Sequence, residues 1–308
     1  MPEKSKTLTR KAYAKINLGL DVLRRRQDGY HEVKMIMQTI SLYDTLTFWE
    51  AETGIAVFTD REDLPGDEHN LVYRTAKLLM DTYGIKSGVK IELRKKIPMA
   101  AGMAGGSTDA AAVFHGMNEL YGLGMTEDEM CRLAVTIGAD VPYCIQGGTA
   151  LSEGIGEVLT KLPDAPDCFL LIAKPDIDVS TKYVYENLHA NALAYHPDID
   201  GMRTAIERGT LSGITERMEN VLETVTVEKY PIIREIKDFM MENGAMNALM
   251  SGSGPTVFGV FDTKEKADAA YRLLKADPDA AYQTHQTELA KQVYTAFPVK
   301  REQASSGR

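Results

Sequence analysis

The stretch Pro98-Met-Ala-Ala-Gly-Met-Ala-Gly-Gly-Ser-Thr-Asp-Ala-Ala-Ala112 concentrates residue types that can hold an anion. Gly102, Gly105 and Gly106 open backbone conformations closed to other residues and leave no side chain in the way. Ser107, Thr108 and Asp109 are cap formers, and the alanines after them favour helix. The stretch predicts a small-residue loop feeding a helix from about residue 108 to 120, with free N–H groups turned outward. Such groups cradle phosphate. The candidate binding residues are Pro98, Met99, Ala100, Ala101, Gly102, Met103, Ala104, Gly105, Gly106, Ser107 and Thr108. The loop has no Walker lysine and no G-x-G-x-x-G spacing, so it is neither a P-loop nor a dinucleotide fingerprint.

Two charged residues could complete a reaction site. Lys15 stands between apolar Ala14 and Ile16, and strand alternation places it on one face with Tyr13 and Asn17. On its own it reads first as an exposed edge-strand or snorkelling lysine. Asp140, in Ile137-Gly-Ala-Asp-Val-Pro142, reads on its own as a turn or capping residue. Beside a phosphate cradle the pair gains a meaning. A carboxylate can take the proton from an attacking hydroxyl, and a lysine keeps it ionised and offsets phosphoryl charge. Tyr30 and His31 follow the Asp28-Gly29 turn and could stack on a nucleobase and bond its edge, or be a half-buried tyrosine beside a surface histidine. His69, His115, His189, His196 and His285 show no metal-ligand spacing and read as surface or packing residues.

The elements that must position these groups are legible from period and punctuation. Residues 11–23 and 31–50 read as strands around the Asp28-Gly29 turn. Val72, Ala76, Leu79, Met80 and Tyr83 fall at helical spacing, with Asn70 as cap and Gly84 as stop. Val89, Ile91 and Leu93 alternate with Lys90, Glu92 and Arg94, a strand over 88–95 leading into the loop. Thr126 with Glu129 forms a capping box for a helix ending at Gly138. Glycines 147, 148, 154 and 156 mark a hairpin. Further on, Phe169–Ala173 is a short strand, Ser180 caps a helix bearing Tyr183 and Tyr185, and another helix runs from Pro231 to Asn243-Gly244. A second Gly/Ser loop, Leu249 to Pro255, precedes a strand Thr256–Phe261; Thr263 caps the next helix, and Gln292–Val299 is a closing strand.

A chain of 308 residues can build two cores. Pro163-Asp-Ala-Pro166 reads as their boundary, giving domains 1–163 and 164–299 and a polar tail, 300–308, expected to fray. The fold class is α+β. The net charge of −9 argues against nucleic acid as a partner, and the Arg24-Arg25-Arg26 cluster reads as a solvated turn rather than a phosphate contact. Three widely spaced cysteines, Cys131, Cys144 and Cys168, suggest neither disulfides nor zinc and fit a reducing cytoplasm. No apolar run would span a bilayer, and the first ten residues lack the apolar core of a signal peptide.

Taken together, the blocks resemble the GHMP kinases, the superfamily of galactokinase, homoserine kinase, mevalonate kinase and phosphomevalonate kinase. Pro98–Thr108 resembles its ATP loop and Ser251-Gly-Ser-Gly-Pro255 its C-terminal Gly/Ser loop. Ala14–Leu23, Asp28-Gly-Tyr-His31, Gly138-Ala-Asp-Val-Pro142 and Val179–Tyr185 resemble the branch that phosphorylates diphosphocytidyl methylerythritol. The resemblance runs from about Arg10 to Val299. It implies an N-terminal ATP-binding domain and a C-terminal ferredoxin-like domain with the active site in the cleft. It implies transfer of the ATP γ-phosphoryl group to the 2-hydroxyl of that substrate, with Mg²⁺ bridging the phosphates and Ser107 a candidate ligand. Lys15 and Asp140 match the catalytic pair, Tyr30 and Tyr185 the aromatic positions flanking the cytosine, His31 its edge contact, and Asn17 and Thr181 positions near the reacting end. Met103 and Thr108 depart conservatively from the usual residues, and Met37 stands where some members carry an aromatic ring. Two alternatives stand beside this reading: a mevalonate- or homoserine-type kinase, which has no use for two base-flanking rings, and a non-catalytic ligand-binding relative, which has no need of Lys15 and Asp140.

Overall fold

The computed structural model describes residues 7–275 and 289–307; residues 1–6, His285 and Arg308 lie outside the described residues. Strand β1 (Thr7–Arg25) and strand β2 (His31–Ala51) form one long antiparallel hairpin. Its turn is closed by Arg26 N–H donating to Tyr30 O at 2.7 Å. The other edge of β2 is shared. Residues 45–51 pair with β4 (Gly88–Arg94), and residues 33–38 with β5 (Thr149–Gly154). β3 (Ile55–Thr59) lies parallel to β4, and β6 (Val158–Lys161) extends β5. Helices α1 (Leu71–Tyr83), α2 (Gly105–Tyr121), α3 (Glu127–Ala134) and α4 (Val141–Gln146) join this sheet in one core. There Phe48, Ile91 and Leu93 meet Leu79, Phe114 and Met117, all fully buried.

The second sheet contains β7 (Phe169–Lys174), β8 (Asn247–Met250), β9 (Val257–Phe261) and β10 (Gln292–Ala296). Its order, β10-β7-β9-β8 with antiparallel neighbours, is that of a ferredoxin-like split βαβ unit. Helices α9 (Ile232–Glu242) and α10 (Lys264–Leu274) cover one face. The other face turns towards the first sheet, so that Ile16 and Ile36 share a core with Leu170, Ile172 and Phe258. Between β7 and β8 run α5 (Thr181–Asn187), α6 (Ile199–Glu207), α7 (Leu211–Thr215) and α8 (Glu223–Lys229). The α+β class and the ferredoxin-like second half agree with the sequence reading.

Several boundaries differ from expectation. Helix α2 starts at Gly105, three residues before the expected start, because Ser107, Thr108 and Asp109 do not cap it. Thr108 Oγ1 donates to Tyr13 O at 2.6 Å, and Asp109 turns inward to Lys95. Helix α3 ends at Ala134, with residues 135–138 continuing as hydrogen-bonded turns. Strand β10 stops at Ala296, and Pro298 makes an isolated bridge to Ile40. The tail expected to fray contains helix α11 (Arg301–Ser306). Backbone acceptors explain it: Lys11 N–H donates to Gly307 O at 2.8 Å, and Arg301 Nη2 donates to Thr149 O at 2.6 Å.

Candidate active site

A cavity of about 1050 Å³ opens between the two halves. One wall is the loop from Pro98 to Ala104, which leads into α2. Its geometry depends on three left-handed residues: Ala100 (φ 49°), Gly102 (φ 70°) and Ala104 (φ 56°). Two are alanines, which pay roughly 1–2 kcal/mol each to sit there. Ala104 is the N-cap of α2 and supplies no side-chain acceptor, so the first N–H groups of a 17-residue helix are left for another partner. Gly105, Gly106 and Ser107 line the cavity at that point. Of the loop residues singled out from sequence, Met103 and Thr108 do not line it. Met103 is buried in the inter-sheet core, and its carbonyl accepts from Lys15 N–H at 3.2 Å.

A buried ionic cluster sits beneath the first turn of α2. Lys95 Nζ donates to Asp109 Oδ2 at 2.7 Å and also pairs with Asp44. A Cβ built on Gly105 would lie 3.4 Å from Lys95 Nζ. Ile97 N–H donates to Asp44 Oδ1 at 2.8 Å, fixing the turn just before Pro98. Burial opposes charge on Lys95, but the two carboxylates outweigh it and raise its pKa. Burial raises the Asp109 pKa strongly, against the pull of Lys95 and with the push of Asp44.

The candidate reaction centre faces the loop. Lys15, far from being an exposed edge residue, is 5% exposed. Its ammonium donates to Asn17 Oδ1 at 2.8 Å and Gly102 O at 3.1 Å. Asp140 is the N-cap of α4 but makes no side-chain cap bond. Asp140 lines the same cavity, and no ion pair joins it to Lys15. After burial, the Asp140 charge is the further influence that raises the Tyr185 hydroxyl. Thr181 and Tyr185 on α5, and Asn17 on β1, line the cavity too. Thr181 Oγ1 and Ser253 Oγ are 2.8 Å apart, tying α5 to the second Gly/Ser loop.

At the end beyond Lys15, the ring arrangement differs from a simple tyrosine sandwich. The His31 and Tyr185 rings lie 5.0 Å apart at 43°, while Tyr30 stands at the rim, 60% exposed. His31 Nε2 is buried and has no hydrogen-bond partner. Burial first, and the Arg25 charge second, push the His31 pKa down and favour the neutral imidazole. Met35 lines the cavity here, and Met37 is fully buried in the core. The sequence does not point to the far end, where Leu64, His69, Asn70 and Leu71 meet the loop, or to Lys95 as lining. Asn70 reads from sequence as a helix cap, and it does cap α1; His69 reads as a surface or packing residue, yet it lines the cavity, as does Ser253 of the second Gly/Ser loop.

Comparison with known proteins places this geometry. Residues 70–148 match the GHMP kinases N terminal domain and residues 198–279 the GHMP kinases C terminal family. A protein of Lachnoclostridium phytofermentans named 4-diphosphocytidyl-2-C-methyl-D-erythritol kinase is 52% identical over 87% of this chain and 92% of its own. The chain belongs to the 4-diphosphocytidyl-2-C-methyl-D-erythritol kinase family of GHMP kinases. A crystal structure of a 4-(cytidine 5'-diphospho)-2C-methyl-D-erythritol kinase superposes with TM-score 0.79 at 30% identity, covering 94% of this chain and 99% of that one. A homoserine kinase of Cytophaga hutchinsonii superposes with TM-score 0.72 over 88% of this chain and 90% of its own, but at 22% identity it shares the GHMP fold alone. This chain is an ATP-dependent small-molecule kinase by family.

Proposed function

We propose that this kinase transfers the γ-phosphoryl group of ATP to the 2-hydroxyl of 4-diphosphocytidyl-2-C-methyl-D-erythritol, a step of the methylerythritol phosphate route to isoprenoids. The supporting observation is that one cavity holds the α2 N-terminus, Lys15 with Asp140, and the His31–Tyr185 ring pair. The relatives' name gives the substrate, and the ring pair gives a reason for a base on it. A mevalonate- or homoserine-type substrate offers nothing for those rings to hold.

In this reading the loop N–H groups and the start of α2 take the ATP phosphates. The adenine lies towards Leu64, Asn70 and Leu71. The cytosine lies against Tyr185, with Tyr30 closing over it. Asp140 accepts the proton of the attacking hydroxyl or orients it; the hydroxyl oxygen bonds to the γ-phosphorus as the bond to the β,γ-bridging oxygen breaks. Lys15 has two donors committed to Asn17 and Gly102 and a third for the transferring group. Mg²⁺ fits the donor set: Ser107 offers a hydroxyl at the cavity, and the described residues hold no cluster of three acidic, His or Cys side chains that would make an all-protein cage. When bound it neutralises phosphate charge. We place the enzyme in the cytoplasm, supported by free thiols at Cys131, Cys144 and Cys168. Among the described residues no helix is long and apolar enough to cross a membrane. Phosphorus NMR of the product tests the reading: a new phosphomonoester on the 2-oxygen is expected, and a phosphate on any other oxygen contradicts it.

A further inference from the structure

The second Gly/Ser loop, Leu249 to Pro255, meets the first loop at the Gly102 carbonyl. That oxygen accepts from Lys15 Nζ at 3.1 Å and from Ser251 Oγ at 3.0 Å. The two loops also touch backbone to backbone, since a Cβ built on Gly102 would lie 2.1 Å from Ser251 O. The placement of Ser251 therefore governs where the Gly102 carbonyl sits, and with it the lysine ammonium.

Asn220 fixes that placement from outside the cavity. It is 1% exposed and stands just before α8. Its amide nitrogen donates to Met250 O and to Gly252 O, both at 2.8 Å, one carbonyl on either side of Ser251. Its Oδ1 accepts from Leu222 N–H at 3.0 Å. Both amide hydrogens are used, and these three partners allow one orientation of the amide. Glu223 Oε1 accepts from Met250 N–H at 2.8 Å, so the same turn holds both polar backbone groups of Met250. The turn is itself tied to the strand that carries Lys15. Leu20 N–H donates to Glu219 O at 2.9 Å, and Val221 N–H donates to Leu20 O at 3.1 Å. We infer that Asn220 is a positioning residue for phosphoryl transfer: it holds Ser251 against the Gly102 carbonyl and so keeps the Lys15 ammonium aimed at the transferring group. The inference rests on the role proposed for Lys15. A small displacement of an aligned group is enough to slow a reaction without weakening ground-state binding.

Steady-state kinetics of the full chain with Mg-ATP and the cytidyl substrate test this in the wild type, Asn220→Ala, Ser251→Ala, the double variant and Lys15→Met. Turnover is counted per ATP-binding site from calorimetric titration, so a misfolded fraction does not register as lost kcat. Asn220→Ala should lose roughly tenfold or more in kcat with both KM values near those of the wild type. Ser251→Ala, which removes one hydroxyl, should lose kcat in the same way. The double variant should lose no more than the worse single one, because both act through one contact. Full kcat per site in Asn220→Ala, even with a lowered melting temperature, makes Asn220 a scaffold residue and overturns the inference. Full kcat in Ser251→Ala overturns it as well, and does so even if Asn220→Ala does not fold. Losses that multiply in the double variant overturn the route through Ser251. Full turnover in Lys15→Met is the separate result that removes the role of Lys15 and the inference with it.

Discussion

The Lys15 ammonium donates to the Gly102 carbonyl at 3.1 Å, joining the first strand to the small-residue loop 87 residues further along. In the proposed reaction the lysine thus couples the wall assigned to substrate to the loop assigned to ATP. Lys15→Met keeps the apolar stem and removes the charge. We expect kcat to fall by at least about 10²-fold, an effect of the size seen when an electrostatic donor to a transition state is removed. A steady-state assay of purified, folded variant checks it; near-normal turnover removes Lys15 from the reaction.

Asp140→Asn should also lose about 10²-fold or more in kcat while the protein stays folded. The carboxylate makes no cap bond that the substitution would break. A pH–rate profile separates the two roles open to it: a base leaves an acid limb that disappears in the variant, whereas an orienting group does not.

Tyr185→Ala should raise KM for the cytidyl substrate and leave KM for ATP unchanged. Base stacking contributes about 1–3 kcal/mol, roughly five- to 150-fold. Tyr30→Ala should show a smaller effect, since Tyr30 stands at the rim and is 60% exposed. Unaltered kinetics in both variants would falsify the base-stacking site.

Gly102→Ala should lower both melting temperature and activity. Residue 102 has φ 70°, and an added Cβ would lie 2.1 Å from the backbone oxygen of Ser251. Backbone cannot move aside as a flexible side chain can, so both loops must shift. Ala104→Gly is the control, because it relieves a left-handed alanine at φ 56° and should be tolerated. Parallel thermal melts of the two variants decide it.

Much of the fold was legible because its signals are local. Asn70, Thr126, Ser180 and Thr263 each cap the helix that follows them, since a side-chain acceptor two or three residues ahead is a short-range arrangement. The start of α2 was misread for the same reason. Three good cap formers stand at 107–109, but tertiary partners claim two of them, and a left-handed alanine takes the cap. The short helices α4, α6, α7 and α8 escaped notice because segments of five to nine residues owe their form to packing rather than propensity. In the site, contiguous motifs could be read; the Asp44–Lys95–Asp109 cluster could not, because 51 and 14 residues separate its members and only the sheet brings them together.

Stability should fall as the pH drops through the histidine range, and His115 is one identifiable cause. Burial pushes its pKa down, with its ring nitrogen 3.2 Å from Ile145 O. The unfolded chain then binds a proton that the folded chain resists. The His115 contribution is therefore fully present above the unfolded value of about 6.5 and is lost as pH falls towards the lower folded value. His115→Gln should flatten that part of the stability–pH curve in denaturant titrations; a curve of unchanged slope contradicts it.

The most direct measurement is ADP release by the purified wild-type chain with Mg-ATP and, in parallel, 4-diphosphocytidyl-2-C-methyl-D-erythritol, mevalonate and homoserine. The account predicts turnover with the cytidyl compound alone. Turnover with either of the other alcohols, or none with any of the three from folded protein that binds ATP, would contradict it.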